Sequence, residues 1–212
     1  MTDTPSTGSD QQRRRWLLAL VLGALGGVIL IVAVAWWSGF GVSKLRAFDA
    51  EQDGKTERAV FFTGEKLRLP DNLAGPGPIR FVHFWDPDCP CHLETNAHLN
   101  YLIGLYKYNK EVVFYSVRKP GTTGELEALL KGKLNELPGI PGMETLPASP
   151  AVAIFDRDGK LAYAGPYSEG LVCNSANSFV EPVLNALTDG KPVVAPNSMA
   201  VGCYCDWSAK AN

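Results

Sequence analysis

An α/β domain carried behind a membrane-crossing helix is the architecture this sequence predicts, and three observations predict it. An uncharged, mostly apolar run from Trp16 to Trp37 follows directly on Arg13, Arg14 and Arg15. Further along, compact apolar runs alternate with segments of helical period, the pattern of strands and helices in turn. Four of the five cysteines stand in two Cys-X-Cys pairs. The 212 residues, 46% hydrophobic and 20% charged with a net charge of −2, suit one ordinary globular domain and its ends. Lysines and arginines are scattered singly rather than in a stripe interleaved with aromatics, which argues against a nucleic-acid partner.

The N-terminal run is long enough to cross a bilayer as a helix. Trp16 at one end and Trp36, Trp37 and Phe40 at the other fit the two membrane interfaces, and the arginine cluster keeps the N-terminus in the cytoplasm. The expected layout is a cytoplasmic tail over 1–15, disordered across its polar first residues 1–12, and an anchor over 16–40. Ala33-Val34-Ala35 resembles a signal-cleavage site, and RRRWLL has the look of a twin-arginine signal. The apolar run continues past that site, so the anchor is the preferred reading.

Residues 41–58 are polar and read as a stalk, and AVFF followed by GEKLRLP as an edge strand or hairpin. PIRFVHFW, between a Gly/Pro cluster and Asp86-Pro87-Asp88, is a buried strand. Leu99, Leu102, Ile103 and Tyr106 at helical spacing predict a helix after it, and EVVFYSV a second strand. Leu126, Leu129 and Leu130 predict a second helix. AVAIFDRDGKLAYAG reads as a hairpin around Asp158-Gly159. A last helix starts near Ser178, with Glu181 three residues on as a capping box. The domain is placed at 59–190 and a cysteine-containing tail at 191–212.

Cys89, Cys91, Cys173, Cys203 and Cys205 all fall in the part expected to be exported, where disulfides persist. Cys89 lies where the strand hands over to the helix, and a helix N-terminus favours the thiolate that attacks disulfides. Pro90 suits a first helical turn. A Cys89–Cys91 disulfide would close a ring tighter than Cys-X-X-Cys allows and be prone to exchange. The alternative is that each sulfur is stapled to another cysteine. For Cys203 and Cys205 three readings stand: a relay pair that exchanges with Cys89 and Cys91, a four-thiolate site for zinc or copper(I), or a tail tied down through Cys173. One of five cysteines is left over in any intramolecular scheme. His83 reads as a core histidine, His92 as the histidine closest to function, and His98 as flanking the helix start. Trp85 reads as packing, Asp86 as a turn-shaping or proton-transfer residue, and Arg118 with Lys119 as a solvated loop.

FVHFWDPDCPCH resembles the thioredoxin superfamily's strand ending in Phe-Trp, with its Cys-X-X-Cys at the start of the next helix, although the motif here is one residue shorter. ASPAVAIFDRDGKLAYAGP resembles the same superfamily's cis-proline, strand, turn and strand. The resemblance implies a thioredoxin-like fold, a central mixed sheet flanked by helices, with Pro150 as the cis-proline facing Cys89 and Cys91. With the anchor, it looks most like membrane-tethered periplasmic thioredoxin-like proteins of Gram-negative bacteria.

The implied activity is thiol-disulfide oxidoreduction on protein thiols or disulfides. Cys89 is expected as the more exposed attacking thiol, Cys91 as the resolving one, Pro150 as shaping the groove, and Cys203 with Cys205 as a second redox pair. The domain would stand in the periplasm, single-pass in the inner membrane, and no motif requires a cofactor. A copper- or zinc-binding protein using Cys89, Cys91, Cys203 and Cys205, or an adaptor with structural cysteines, is the competing reading.

Overall fold

The computed structural model describes residues 7–37, 45–48, 62–106, 110–170, 173–194 and 200–208, and the chain divides into two units, Met1–Ser43 and Lys44–Asn212. The first unit holds helix α1, Thr7–Trp37, of which Gln12–Trp36 is long and apolar enough to cross a membrane. The helix begins inside the stretch expected to be disordered. Gln and Arg are good helix formers, and extending a helix costs less than nucleating one.

In the second unit, strands β2 (Ile79–Trp85), β3 (Val112–Arg118), β4 (Asn135–Leu137), β6 (Ala151–Phe155) and β7 (Leu161–Gly165) form a five-stranded sheet in the order β4-β3-β2-β6-β7. β2 runs parallel to β3 and antiparallel to β6, with Phe81 opposite both Phe114 and Ile154. Every residue of β2 is buried because both faces of the central strand are covered, which is why it reads as one apolar run without alternation. Ile79, Phe81 and Trp85 point into a core with Leu99, Leu102 and Ile103 of helix α2 (His92–Tyr106) and Val183 and Leu184 of helix α3 (Val180–Thr188). Val82 and Phe84 point the other way, into a second core lined by Leu67, Tyr115, Val117, Ile140, Tyr204 and Trp207. A parallel β-α-β unit, a cis Ser149–Pro150 bond and an antiparallel hairpin on one mixed sheet make this a thioredoxin-like fold.

The β6–β7 hairpin forms as expected, turning through Gly159 at φ 79°. At α3, Ser178 Oγ accepts a hydrogen bond from the Glu181 N–H at 3.1 Å, half of the expected capping box.

Several expectations fail. The second helix is absent: residues 122–127 are irregular and 128–133 form turns, with Gly132 at φ 74°, while Leu126, Leu130 and Leu134 still reach the core. β4, unforeseen, follows them. Residues 59–61 and the span's end at 38–40 lie outside the described residues, and Leu67 and Leu69 are buried beside a turn rather than in a strand. In the stretch read as a stalk, Leu45–Ala47 forms strand β1, and Phe48 is buried. The tail is no appendage. Val201–Cys203 (β8) pairs antiparallel with β1, and Cys205–Asp206 (β9) pairs antiparallel with Ala148–Ser149 (β5).

Candidate functional site

Two short segments meet at the site, and local chemistry shapes each. After Trp85, the Asp86 carboxylate Oδ1 accepts a bond from the Asp88 N–H at 2.9 Å, and the Asp86 carbonyl accepts from the Cys89 N–H at 3.0 Å. This Asx turn reverses the chain as it leaves the sheet. Cys89, Pro90 and Cys91 complete the turn before α2 starts at His92, whose Nδ1 meets the Cys89 carbonyl. The tail segment is extended. Residues two apart in an extended chain share a face, so Cys203 and Cys205 face the turn while Tyr204 goes to the opposite side, edge-on to Phe48 at 5.3 Å.

The two motifs are joined in antiparallel sense: Cys89 is disulfide-bonded to Cys205 and Cys91 to Cys203, with Cα–Cα distances of 5.9 and 5.4 Å. A Cys89–Cys91 bond is thus not formed, and each sulfur takes its partner from the other motif. Cys89 is not the more exposed thiol: it is 1% accessible and Cys91 7%. Cys203 is the half-exposed member of the four. The two disulfides touch, with Cys91 Sγ 4.0 Å from Cys205 Sγ, and the sulfurs of Cys89, Cys91 and Cys205 all lie within 4.8 Å of one another. The expected cis-proline is Pro150, and Cys89 Sγ lies 3.9 Å from the carbonyl of Ser149 before it. In the β5–β9 pair, Ser149 stands opposite Cys205.

What holds the tail in place was largely missed in the sequence. Lys119, read as solvated, donates to Asp86 Oδ2 at 3.0 Å and to the Asp206 carbonyl at 2.7 Å, with its side chain 16% exposed. Arg46 pairs with Asp206 Oδ1. Trp207 is fully buried, edge-on to Phe84 at 5.6 Å, and Tyr204 OH donates to the Ser168 carbonyl at 3.1 Å. An aromatic residue beside each tail cysteine was the one available signal.

Cys173 carries no disulfide. The expectation of a tail tied down through it does not hold in this structure, which has both tail cysteines bonded to the motif.

His83 is a core residue: its Nδ1 bonds Tyr167 OH at 2.8 Å, and burial, with nearby His92 adding to it, pushes its pKa down to about 3. His98 is buried against Ser178 Oγ at 3.2 Å. Its pKa is lowered by burial, which outweighs the opposing pull of Glu181.

The profile of a family described as a domain of unknown function, DUF6436, matches residues 58–207, from before the sheet to the end of the docked tail. The chain belongs to the DUF6436 family. The matched DUF6436 region includes all five cysteines. No curated protein matches the chain. A hypothetical protein from Sinorhizobium meliloti is similar in structure at TM-score 0.50 and 14% identity, covering 73% of this chain and 98% of that one. An uncharacterised conserved protein from Geobacillus kaustophilus gives 0.44 at 18%, covering 64% and 79%. A putative thiol:disulfide interchange protein DsbE from Chlorobium tepidum gives 0.42 at 18%, covering 57% and 94%. At such identities the first of these bears on the fold of this DUF6436 member alone.

Proposed function

We propose that this domain is a thiol-disulfide oxidoreductase acting on protein thiols or disulfides, with Cys89, Cys91, Cys203 and Cys205 as one four-sulfur exchange centre beside Pro150. The observation that carries the reading is the 4.0 Å contact between Cys91 Sγ and Cys205 Sγ, which links the two disulfides into a continuous exchange path. A substrate thiolate attacks Cys203 Sγ, the half-exposed sulfur, and forms a mixed disulfide while Cys91 leaves as thiolate. The substrate's second thiolate then attacks its own bonded sulfur and expels Cys203. The substrate leaves as a disulfide, and its two electrons and two protons remain on Cys91 and Cys203. Before protonation, Cys91 can instead attack Cys205, forming Cys91–Cys205 and expelling Cys89. Run backwards, the same steps reduce a substrate disulfide. The N-terminal arginines and the apolar helix support a single-pass anchor in a bacterial inner membrane with this domain in the periplasm.

Redox titration against glutathione, with thiol trapping and mass mapping, tests the reading. Both disulfides are expected to open and close reversibly between roughly −180 and −320 mV. If both stay closed throughout, they are structural staples and the oxidoreductase reading fails.

The sulfur cluster favours one further reading. Once reduced, thiolates this close suit a soft metal such as zinc or copper(I). Stoichiometric metal on the reduced protein, with no reversible disulfide chemistry, would select it.

A further inference from the structure

The fifth cysteine lines a pocket together with two members of the same centre. Cys173 shares a small pocket of about 10 Å³ with Cys91 and Cys203, lined also by Thr95, Pro150 and Tyr204. Its sulfur accepts a hydrogen bond from Ser168 Oγ at 3.1 Å and stands 3.6 Å from Thr95 Oγ1, four residues beyond Cys91 along α2. Gly170, three residues before Cys173, is also latched to the tail. The Gly170 N–H donates to the Val201 carbonyl at 2.9 Å, and Gly170 bridges Gly202. A Cβ on Gly202 would come within 2.5 Å of the Gly170 carbonyl oxygen, so only glycine permits this approach. A free thiol and a disulfide are thus held on the walls of one small pocket, with the sulfur oriented by two hydroxyls and Gly170, three residues before it, bonded to the strand that carries Cys203.

We infer that Cys173 is an internal nucleophile that opens the Cys91–Cys203 disulfide. The Cys173 thiol gives its proton to solvent and the thiolate attacks Cys203 Sγ. The Cys173–Cys203 bond forms, the Cys91–Cys203 bond breaks, and Cys91 leaves as thiolate. Cys173 is oxidised and Cys91 reduced, so no outside oxidant or reductant is needed. The tail stays tethered throughout. The freed Cys91 lies against Cys205, and its attack there forms Cys91–Cys205 and releases Cys89. The single thiol of the oxidised protein therefore migrates from Cys173 through Cys91 to Cys89. This exchange stands apart from the oxidoreductase reading, because it runs equally in a protein whose disulfides only staple the tail.

The test uses the full chain, oxidised and purified in detergent without reductant. It is held at pH 8, quenched with acid at intervals, labelled with N-ethylmaleimide and mapped by mass spectrometry. Label at Cys173 is expected to fall with time while label at Cys91 and Cys89 rises by the same amount, faster at higher pH because only the thiolate attacks. Oxidised Cys173→Ser protein is expected to take no label. Label confined to Cys173 overturns the inference, as does label appearing at Cys203, which would mean that the other sulfur is attacked. Label at Cys91 that persists in Cys173→Ser protein overturns it too.

Discussion

The two disulfides should contribute to stability in a strongly non-additive way, because they are nested. Cys89 and Cys205 are 116 residues apart in sequence, and Cys91 and Cys203 are 112 apart. Either bond alone closes a loop of that length in the unfolded chain, which is worth about 5 kcal/mol of lost chain entropy. Once one bond is closed, the other completes a ring of only a few residues and adds about 2 kcal/mol. Removing one complete pair, by Cys89→Ser with Cys205→Ser or by Cys91→Ser with Cys203→Ser, should therefore cost about 2 kcal/mol. Removing both pairs should cost about 7 kcal/mol, against about 4 if the two effects simply added. Urea unfolding of the unit beginning at Lys44, followed by tryptophan fluorescence without reductant, measures this. A Cys173→Ser background leaves no thiol to reshuffle the bonds. Single-pair losses that sum to the loss of both would refute the argument from nested loops.

Three further outcomes follow from the packing. His83 is held neutral, its pKa depressed to about 3 by burial, so the stability tied to it is full only above the unfolded pKa of 6.5 and falls as the pH drops through 6.5 towards 3. The slope approaches about 1.4 kcal/mol per pH unit below about pH 6, or about 2 kcal/mol in all between pH 6.5 and 4.5, and His83→Leu should flatten that limb of a pH series of urea melts. Lys119→Met leaves the Asp86 carboxylate buried without its cation and should cost about 3–5 kcal/mol in the same assay, whereas a loss under 1 kcal/mol would mean that the pair is effectively solvated. Trp207→Ala removes a fully buried ring from against Phe84 and should cost about 3–5 kcal/mol. It should also speed reduction of both disulfides by dithiothreitol, and unchanged reduction kinetics would show that the ring does not hold the tail.

The sequence by itself determined the elements whose signals are local. β2 is a continuous apolar run because its environment is buried on both faces, and the Leu99 to Tyr106 spacing lays one apolar stripe along a helix. The Asp158-Gly159 turn and the Ser178 cap are chemistry contained within a few residues. Pro150 and the two Cys-X-Cys pairs were legible as well, the proline through family resemblance and the pairs through spacing. The tertiary structure alone decided how the sulfurs pair. A Cys-X-Cys spacing is compatible with a bond inside the motif or with two bonds leaving it, and the choice depends on where a segment more than a hundred residues away docks. That docking is fixed by burial of Tyr204 and Trp207 and by Lys119 and Arg46 on Asp206, contacts between residues distant in sequence. The false helix at 122–134 has the same origin. Leucines that satisfy helical spacing also satisfy a chain of turns when the sheet, rather than a regular backbone, supplies the surface that buries them.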